Sequence, residues 1–516
     1  MPRARTSSIP ELLLTLDRAG PVALHRQLER GLQDAIRTGR LEPSAALPST
    51  RALAGELRLS RGVVVEAYEQ LTAEGYLESR PGGKTRVAER SGAGDAAGSV
   101  LPSERPRRSI PSAPQGTAGD EPAPPSEEVV LPPFAFSRAR HDFSYGRPDV
   151  SAFPRQAWLR SLKRVLNDAP AERLSYIDGR GAIELREALA SYLNRVRATS
   201  ASASRIVITN GFAQGQRLVL QVIRDQRRRG GDRRAPVRVA MEDPGQIDTW
   251  RAAELHGLEL VPIPVDDEGL IVERLANADA AVCVVTPAHE FPTGAVMSPE
   301  RRAALVRWAR DRDAFVLEDD YDAEYRYDRE PIGAIQGLAP DRVIYAGSAS
   351  KTLAPGLRLG WLILPAQLVE PFATSKFAGD RGTPSMEQLA FADFLSRGEF
   401  DRHLRRMRPI YRARRDALLT ALAKHLPAVM PVGASAGLHV LALLPPGTDE
   451  AAVLARADTL DIAVDGLSQY RLAADVPAGL ILGYAQHTER QIEARVMKLA
   501  EAVLGSSERV QVPTSG

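Results

Sequence analysis

The stretch between Ala88 and Pro133 constrains this chain more than any other feature, because it has too little apolar surface to form part of a packed domain. Ala, Gly, Ser, Pro and charged residues dominate it, with Pro102, Pro106, Pro111, Pro114, Pro122, Pro124 and Pro125 spread along its length. Burial within such a segment cannot offset the entropy of ordering its backbone. It reads as a tether, partly stiffened by its prolines. A structureless run of this length is rare inside one domain. The chain therefore divides into a first unit (1–87), a linker (88–133) and a second unit (134–516), with a frayed tail expected after Leu504. Its 516 residues suit two or three folding units in total.

The balance of 44 % apolar and 26 % charged residues is that of a globular protein. No apolar run is long enough to cross a bilayer. Met1–Pro10 carries basic residues without an apolar stretch behind them, so no secretory signal is expected and the cytoplasm is the expected location. Cys283 is the single cysteine, which excludes an internal disulfide framework and any cysteine-based metal cluster; no metal site is expected. A formal net charge of +2 says that any affinity for nucleic acid must come from a local arrangement.

The first unit is short and helical. Leu24, Leu28, Leu32 and Ile36 recur every fourth residue and mark the apolar stripe of a first helix. Pro43 and Pro48 break the chain, and a second helix is expected from about Ser49 to Leu57, capped by Ser49. Ser60 caps a third, whose Val63, Ala67, Tyr68 and Leu71 share one side, and Gly75 stops it. Leu77–Arg80 and Thr85–Val87 read as two strands joined by the tip Pro81-Gly82-Gly83-Lys84. Three helices and a small hairpin make a winged helix-turn-helix. Its third helix would enter the major groove, with Ser60 and Arg61 at the start, where a guanidinium reaches a guanine edge or a phosphate. Ser49, Thr50 and Arg51 open the second helix, and the N–H groups of both helix starts suit phosphates. Gly83, Lys84 and Arg86 at the wing suit phosphates or the minor groove. On periodicity alone a small docking domain fits as well, because Glu56, Glu66, Glu69 and Glu74 dilute the positive charge.

From Phe134 onward β-rich apolar runs alternate with amphipathic helices. Strands are expected at Arg205–Thr209, Val237–Met241, Leu258–Pro262, Ala280–Thr286, Ala314–Glu318, Arg342–Ala346 and Leu359–Leu364, and a helix at Pro299–Asp311. The uninterrupted apolar run from Ala280 to Thr286 suits a strand covered on both faces. Long helices prevail from Glu387 to His425, and a smaller α/β unit follows. The expected architecture is a layered α/β domain around a mostly parallel sheet. Its large subdomain spans about 175–385, and its small one about 386–504 with part of 134–174.

Ligands of open α/β sheets bind beyond the carboxyl ends of the strands. The distinctive polar residues collect there, and together they match the chemistry of pyridoxal 5'-phosphate. Lys351 offers an amine to the aldehyde as a Schiff base. Asp319 offers an anion to the pyridine nitrogen, and Tyr321 a donor to the ring oxygen. Gly211, Phe212 and Ala213 at a helix start, with Ser348, Ser350 and Arg358, suit the phosphate. Each has a bland alternative, a surface lysine or an Asp-Asp-Tyr turn. Their joint occurrence at strand ends favours the cofactor.

The stretch Leu47-Pro48-Ser49-Thr50-Arg51-Ala52-Leu53-Ala54, then Leu59-Ser60-Arg61 and Ala73-Glu74-Gly75-Tyr76-Leu77, resembles the GntR family of bacterial DNA-binding domains. Ser44 stands where members usually have glycine. The second unit resembles the fold-type I aminotransferases through Asp142–Asp149, Tyr176–Gly181, Glu242–Gly245, Thr286–Gly294, Glu318–Tyr327 and Gly347–Gly360. The whole chain resembles the MocR/GabR family of transcription regulators, which fuse the two. The resemblance implies that Lys351 is the Schiff-base lysine and that Tyr176 reaches the phosphate of a neighbouring subunit. It implies a head-to-tail homodimer with each head against the partner's large domain, and a double-stranded DNA operator with two half-sites.

Two departures from the family matter. Gln246 stands where the family usually has an aromatic residue that stacks on the pyridine ring, a loss expected to weaken cofactor binding unless Phe212 or His289 substitutes. Ile481, in Gly479–Ala485, stands where aminotransferases hold a substrate carboxylate with arginine. The expectation is a regulator that senses a small-molecule effector, either pyridoxal phosphate itself or an amino-acid aldimine, and controls vitamin B6 or amino/nitrogen metabolism genes. The alternatives are an active aminotransferase with an accessory head, and a cofactor-free scaffold.

Overall fold

A computed structural model describes residues 16–18, 23–37, 39–78, 84–88, 139–230, 236–322, 324–327 and 332–507. The linker expected at 88–133, apart from Ala88, and the wing tip with Gly83 lie outside the described residues.

The first unit holds helices α1 (Leu24–Arg37), α2 (Thr50–Glu56) and α3 (Arg61–Ala73), then the antiparallel strands β1 (Leu77–Glu78) and β2 (Arg86–Val87). Local chemistry fixes the helix starts, since the Ser49 hydroxyl accepts from the Ala52 N–H and the Ser60 hydroxyl from the Val63 N–H. Leu28, Leu32 and Ile36 of α1 meet Leu53, Leu71, Leu77 and Val87 in one core. On α3 the buried side runs through Val64, Ala67, Tyr68 and Leu71, and Val63 is only partly buried. Periodicity alone points Val63 inward; the i, i+3, i+4, i+7 row that packs against α1 starts one residue later. Residues 44–47 run beside β2, with the Ser44 N–H donating to Val87 and the Leu47 N–H to Thr85. Ser44 has a φ of 62°, in the left-handed region. That conformation explains why glycine is usual at this position, and serine there is strained.

In the second unit β3 (His141–Asp142) is followed by helices α4 (Arg155–Asp168) and α5 (Ile183–Val196). The central sheet is built from β4 (Ile206–Thr209), β5 (Arg238–Asp243), β6 (Glu259–Asp266), β7 (Gly269–Leu270), β8 (Ala280–Val285), β9 (Phe315–Asp320), β10 (Val343–Ser348) and β11 (Gly360–Ile363). Its order is β4-β11-β10-β9-β8-β5-β6-β7. The pairs from β10 to β6 are parallel, while β11 and β7 run antiparallel to their neighbours. Helices α6 (Phe212–Gly230), α7 (Ile247–Leu255), α8 (Pro299–Asp311) and α9 (Ala366–Asp380) accompany it. Every residue of β8 is buried, as its apolar run predicts. Alternate residues of β9 feed different cores: Leu317 packs with Met241, Ala346 and Leu362, whereas Val316 packs with Ala240, Cys283 and Val343.

Helices α10 (Ser385–Ser396) and α11 (Glu399–His425) lead to a small sheet made of β12 (Met430–Val432), β13 (His439–Leu443), β15 (Asp465–Gly466) and β16 (Gly479–Gly483). Helix α12 (Glu450–Thr459), strand β14 (Ile462–Ala463) and helix α13 (Glu489–Ser507) complete the unit. β14 pairs in parallel with β3, so residues just before the large subdomain join the small one. In the single chain the head rests on its own large subdomain, where the Tyr76 hydroxyl donates to the Ala198 carbonyl at 3.2 Å, whereas the family resemblance implies contact with the partner's large domain. Among the described residues no helix is long and apolar enough to cross a membrane.

Candidate cofactor site and DNA-reading head

Strand pairing gathers the expected phosphate residues. β11 aligns Gly360 with Thr209 of β4 on one side and with Ser348 of β10 on the other. Gly211 (φ 82°) turns the chain from β4 into α6, so the N–H groups at the start of α6, around Phe212 and Ala213, point out of the sheet end. Arg358, itself left-handed (φ 49°), donates to the Asn210 carbonyl at 2.9 Å. A Cβ at Gly211 would displace that guanidinium, and the left-handed backbone there favours glycine in any case. The Ser348 hydroxyl donates to Ser350 at 2.8 Å and accepts the Ser350 N–H at 3.0 Å.

Beside this cradle Lys351 Nζ donates to the Gly146 carbonyl at 2.6 Å. Burial lowers its ammonium below the ordinary lysine range against the pull of Asp322, Asp319 and Asp248. A lysine held towards its neutral form is the nucleophile that a carbonyl group requires. Asp319, next to last in β9, is 4 % exposed, and burial pushes its carboxyl up to about 8. Its partner is the Gln246 amide, donating at 2.9 Å. A buried acid with so little compensation suits a protonated ring nitrogen, which would supply the missing positive charge.

Tyr321 stands in a relay that no local sequence signal announces. Its hydroxyl donates to the His289 carbonyl at 3.1 Å and lies 3.1 Å from His289 Nδ1, which is 3.0 Å from Asp322 Oδ2. Burial pulls the His289 imidazole down, but the charge and hydrogen bond of Asp322 hold it above its ordinary value. His439 lies close by, and burial pushes it down to about 3. His289 is thus committed to Tyr321, Asp322 and the Gly433 carbonyl. Only the motif Glu318–Tyr327 hints at Asp322, and nothing local pairs it with His289.

The small subdomain closes one side. Asp243 accepts the N–H groups of Leu472, Ala473 and Ala474 at 2.7–2.8 Å, and the Gly245 N–H reaches the Tyr470 carbonyl. Tyr145, Phe291, His439 and Tyr470 form an aromatic cluster, and Ile481, 0 % exposed, packs with Phe291 and Tyr470. Tyr176 is not brought to this site in its own chain; it stands 82 % exposed.

On the head, Arg51, Arg61 and Lys84 are exposed. Ser49 and Ser60 use their hydroxyls as helix caps, leaving the N–H groups beyond them for outside acceptors. Thr50 and Arg61 border a cleft of about 720 Å³ shared with Met297, Ser298 and Pro299. Arg86 donates to the Ser44 carbonyl at 2.9 Å, which holds the wing to the head.

Head and body thus define a class: a GntR-type winged helix-turn-helix joined to a fold-type I aminotransferase-like α/β domain. Residues 24–87 match the family described as "Bacterial regulatory proteins, gntR family", and residues 142–499 match "Aminotransferase class I and II". The chain belongs to the MocR-type family of helix-turn-helix transcriptional regulators. It is 31 % identical to the "Probable rhizopine catabolism regulatory protein MocR" of Rhizobium meliloti, over 95 % of this chain and 96 % of that one. It is 28 % identical to the "HTH-type pyridoxine biosynthesis transcriptional regulator PdxR" of Corynebacterium glutamicum, over 96 % and 99 %. Among solved structures it is similar to Pyrococcus horikoshii kynurenine aminotransferase, at 27 % identity and a TM-score of 0.65, covering 72 % of this chain and 92 % of that one. It is likewise similar to the α-aminoadipate aminotransferase LysN of Thermus thermophilus, complexed with N-(5'-phosphopyridoxyl)-L-leucine, at 25 % identity and a TM-score of 0.64, covering 72 % and 93 %.

Proposed function

We propose that this regulator binds pyridoxal 5'-phosphate on Lys351 and reports its presence to DNA, controlling genes of vitamin B6 or amino/nitrogen metabolism in the cytoplasm. The observation that carries the reading is the convergence of Lys351, Asp319 and the Gly211–Arg358 cradle at neighbouring strand ends. Gly211, Phe212, Ala213, Ser348, Ser350 and Arg358 would hold the phosphate, Asp319 the ring nitrogen and Tyr321, once its hydroxyl turns from the His289 carbonyl, the ring oxygen. When bound, the cofactor supplies an aldehyde and an electron-withdrawing ring. The pyridoxine role in the name of PdxR and the phosphopyridoxyl group in the LysN complex support the cofactor.

Sensing is favoured over turnover by Ile481. A buried aliphatic side chain makes no charge-assisted pair with a substrate carboxylate, so a bound amino acid would lack the contact that orients its Cα proton. A homodimer is part of the proposal. Leu159, Leu166, Leu174 and Tyr176 are more than half exposed, an apolar face that a second copy would cover while Tyr176 reached its phosphate. Two heads on a two-fold body would read an operator of two half-sites.

Titration with pyridoxal phosphate should produce an absorbance band in the near-ultraviolet to blue region, fixed on Lys351 by borohydride. Loaded and cofactor-free chains should then differ in affinity for DNA, and amino acids should leave the loaded form unchanged. Release of keto acid at useful turnover would replace the sensor with an enzyme.

A further inference from the structure

The large and the small sheet deliver three metal-binding side chains to one point. His289 follows β8, Asp322 follows β9 and His439 opens β13. All three are buried, and one ligand atom of each lies within 4.8 Å of the other two. Backbone carbonyls set the tautomers of the two imidazoles. His289 Nε2 lies 3.1 Å from the Gly433 carbonyl, and His439 Nε2 lies 3.3 Å from the Pro292 carbonyl. A carbonyl only accepts, so each Nε2 carries a proton and each Nδ1 is the atom left to coordinate. Metal-binding histidines are commonly oriented by such an outer carbonyl.

The ligand atoms are already gathered. His289 Nδ1 lies 3.0 Å from Asp322 Oδ2 and 3.1 Å from the Tyr321 hydroxyl. Burial keeps His439 neutral, the form that binds a metal. Gly437 (φ 77°) runs directly against the pair, where a Cβ would press on His289 Cε1 and Asp322 Oδ2. The surroundings are also short of positive charge. Asp322, Glu290, Asp319 and Glu242 all act on Tyr321. Glu290 is 0 % exposed, and its Oε1 has no hydrogen-bond partner among the described residues. A carboxyl oxygen buried without a donor is costly, and a nearby cation lowers that cost.

We propose that His289, Asp322 and His439 form a binding site for a divalent late transition-metal ion of the zinc and cobalt kind, tying the large subdomain to the small one. Two imidazole nitrogens and one carboxylate suit such an ion, whereas calcium and magnesium require more oxygen ligands. As the ion binds, the proton between His289 Nδ1 and Asp322 leaves to solvent and the ion takes its place. Water completes the tetrahedral set. The site does not rest on the cofactor reading above and is tested without the cofactor.

The test uses the full, untagged chain, freed of cofactor and stripped of metal by a chelator, then titrated with Co2+. Binding of one ion per chain is expected, with the visible bands of a four-coordinate site, and Zn2+ should displace it. His439→Ala and Asp322→Asn each remove one ligand. Each should abolish the bands and weaken binding by more than about 100-fold, because changes to outer partners alone cost about 10- to 100-fold. No bands in the wild type, or wild-type bands in either variant, overturn the site. Should the variants fail to fold, anomalous diffraction from wild-type crystals grown with one equivalent of zinc decides. A peak between His289, Asp322 and His439 upholds the site, and a peak elsewhere or none overturns it. The band fixed by borohydride on Lys351 is a separate measurement, so either reading can fall without the other.

Discussion

At Asp319 a carboxyl whose ordinary value is 3.8 is pushed to about 8 by burial. The sign of its linkage follows. An acid raised in the folded state contributes fully below its unfolded value, and that contribution is lost as pH rises through the folded one. The cofactor-free chain should therefore lose stability to urea between about pH 4 and pH 8, by up to about 1.4 kcal/mol per pH unit for this one proton. Asp319→Asn should flatten the slope, leaving the share of the other buried acids, among them Glu29, raised to about 8, and Glu242, Glu318 and Glu324, each raised to about 7. Equal slopes in wild type and variant would remove the account given for this carboxyl. Ser44 offers a simpler case: its left-handed backbone predicts that Ser44→Gly raises the stability of the head by about 1 kcal/mol, read from its urea midpoint.

At the scale of elements, α3 carries the sharpest test. Arg61→Ala should cost about 1–3 kcal/mol on the selected duplex and relax base preference at one position. Lys84→Ala should weaken all duplexes alike and lower the salt slope by about one. Similar losses on every sequence for both variants would deny Arg61 a reading role. The element boundaries are largely legible in the sequence because their signals are local: Ser49 and Ser60 are caps, and the apolar run of β8 marks a covered strand. The phase of α3 is off by one residue there, because Val63 and Val64 are chemically alike and only α1 distinguishes them. Strand-end logic singles out Lys351, Asp319 and Arg358. Gly146 is beyond its reach as the lysine's acceptor, since 205 positions separate the two. Sequence separation likewise hides the pairing of His289 with Asp322 and the fit of Tyr76 to Ala198, 122 positions apart.

For the whole molecule the proposed dimer is the first matter to test. Leu166→Glu on the exposed face of α4 should shift sedimentation towards the monomer and weaken cofactor retention, because Tyr176 would lose its partner site. A monomeric wild type would end that reading. The pairing of β3 with β14 has a different consequence, for the order in which the protein is made. The Arg140 N–H meets the Asp461 carboxylate, 321 positions later, and β3 gains its partner only once Ile462 has been synthesised. The head has all its core residues by Val87, apart from the flanking contacts of Ala198 and Leu338. On the ribosome the DNA-reading part is thus complete while most of the aminotransferase-like part is still unmade, and the body can close only near the end of translation. Each new molecule passes through an interval in which its head has all its core residues while the body beside it is still incomplete.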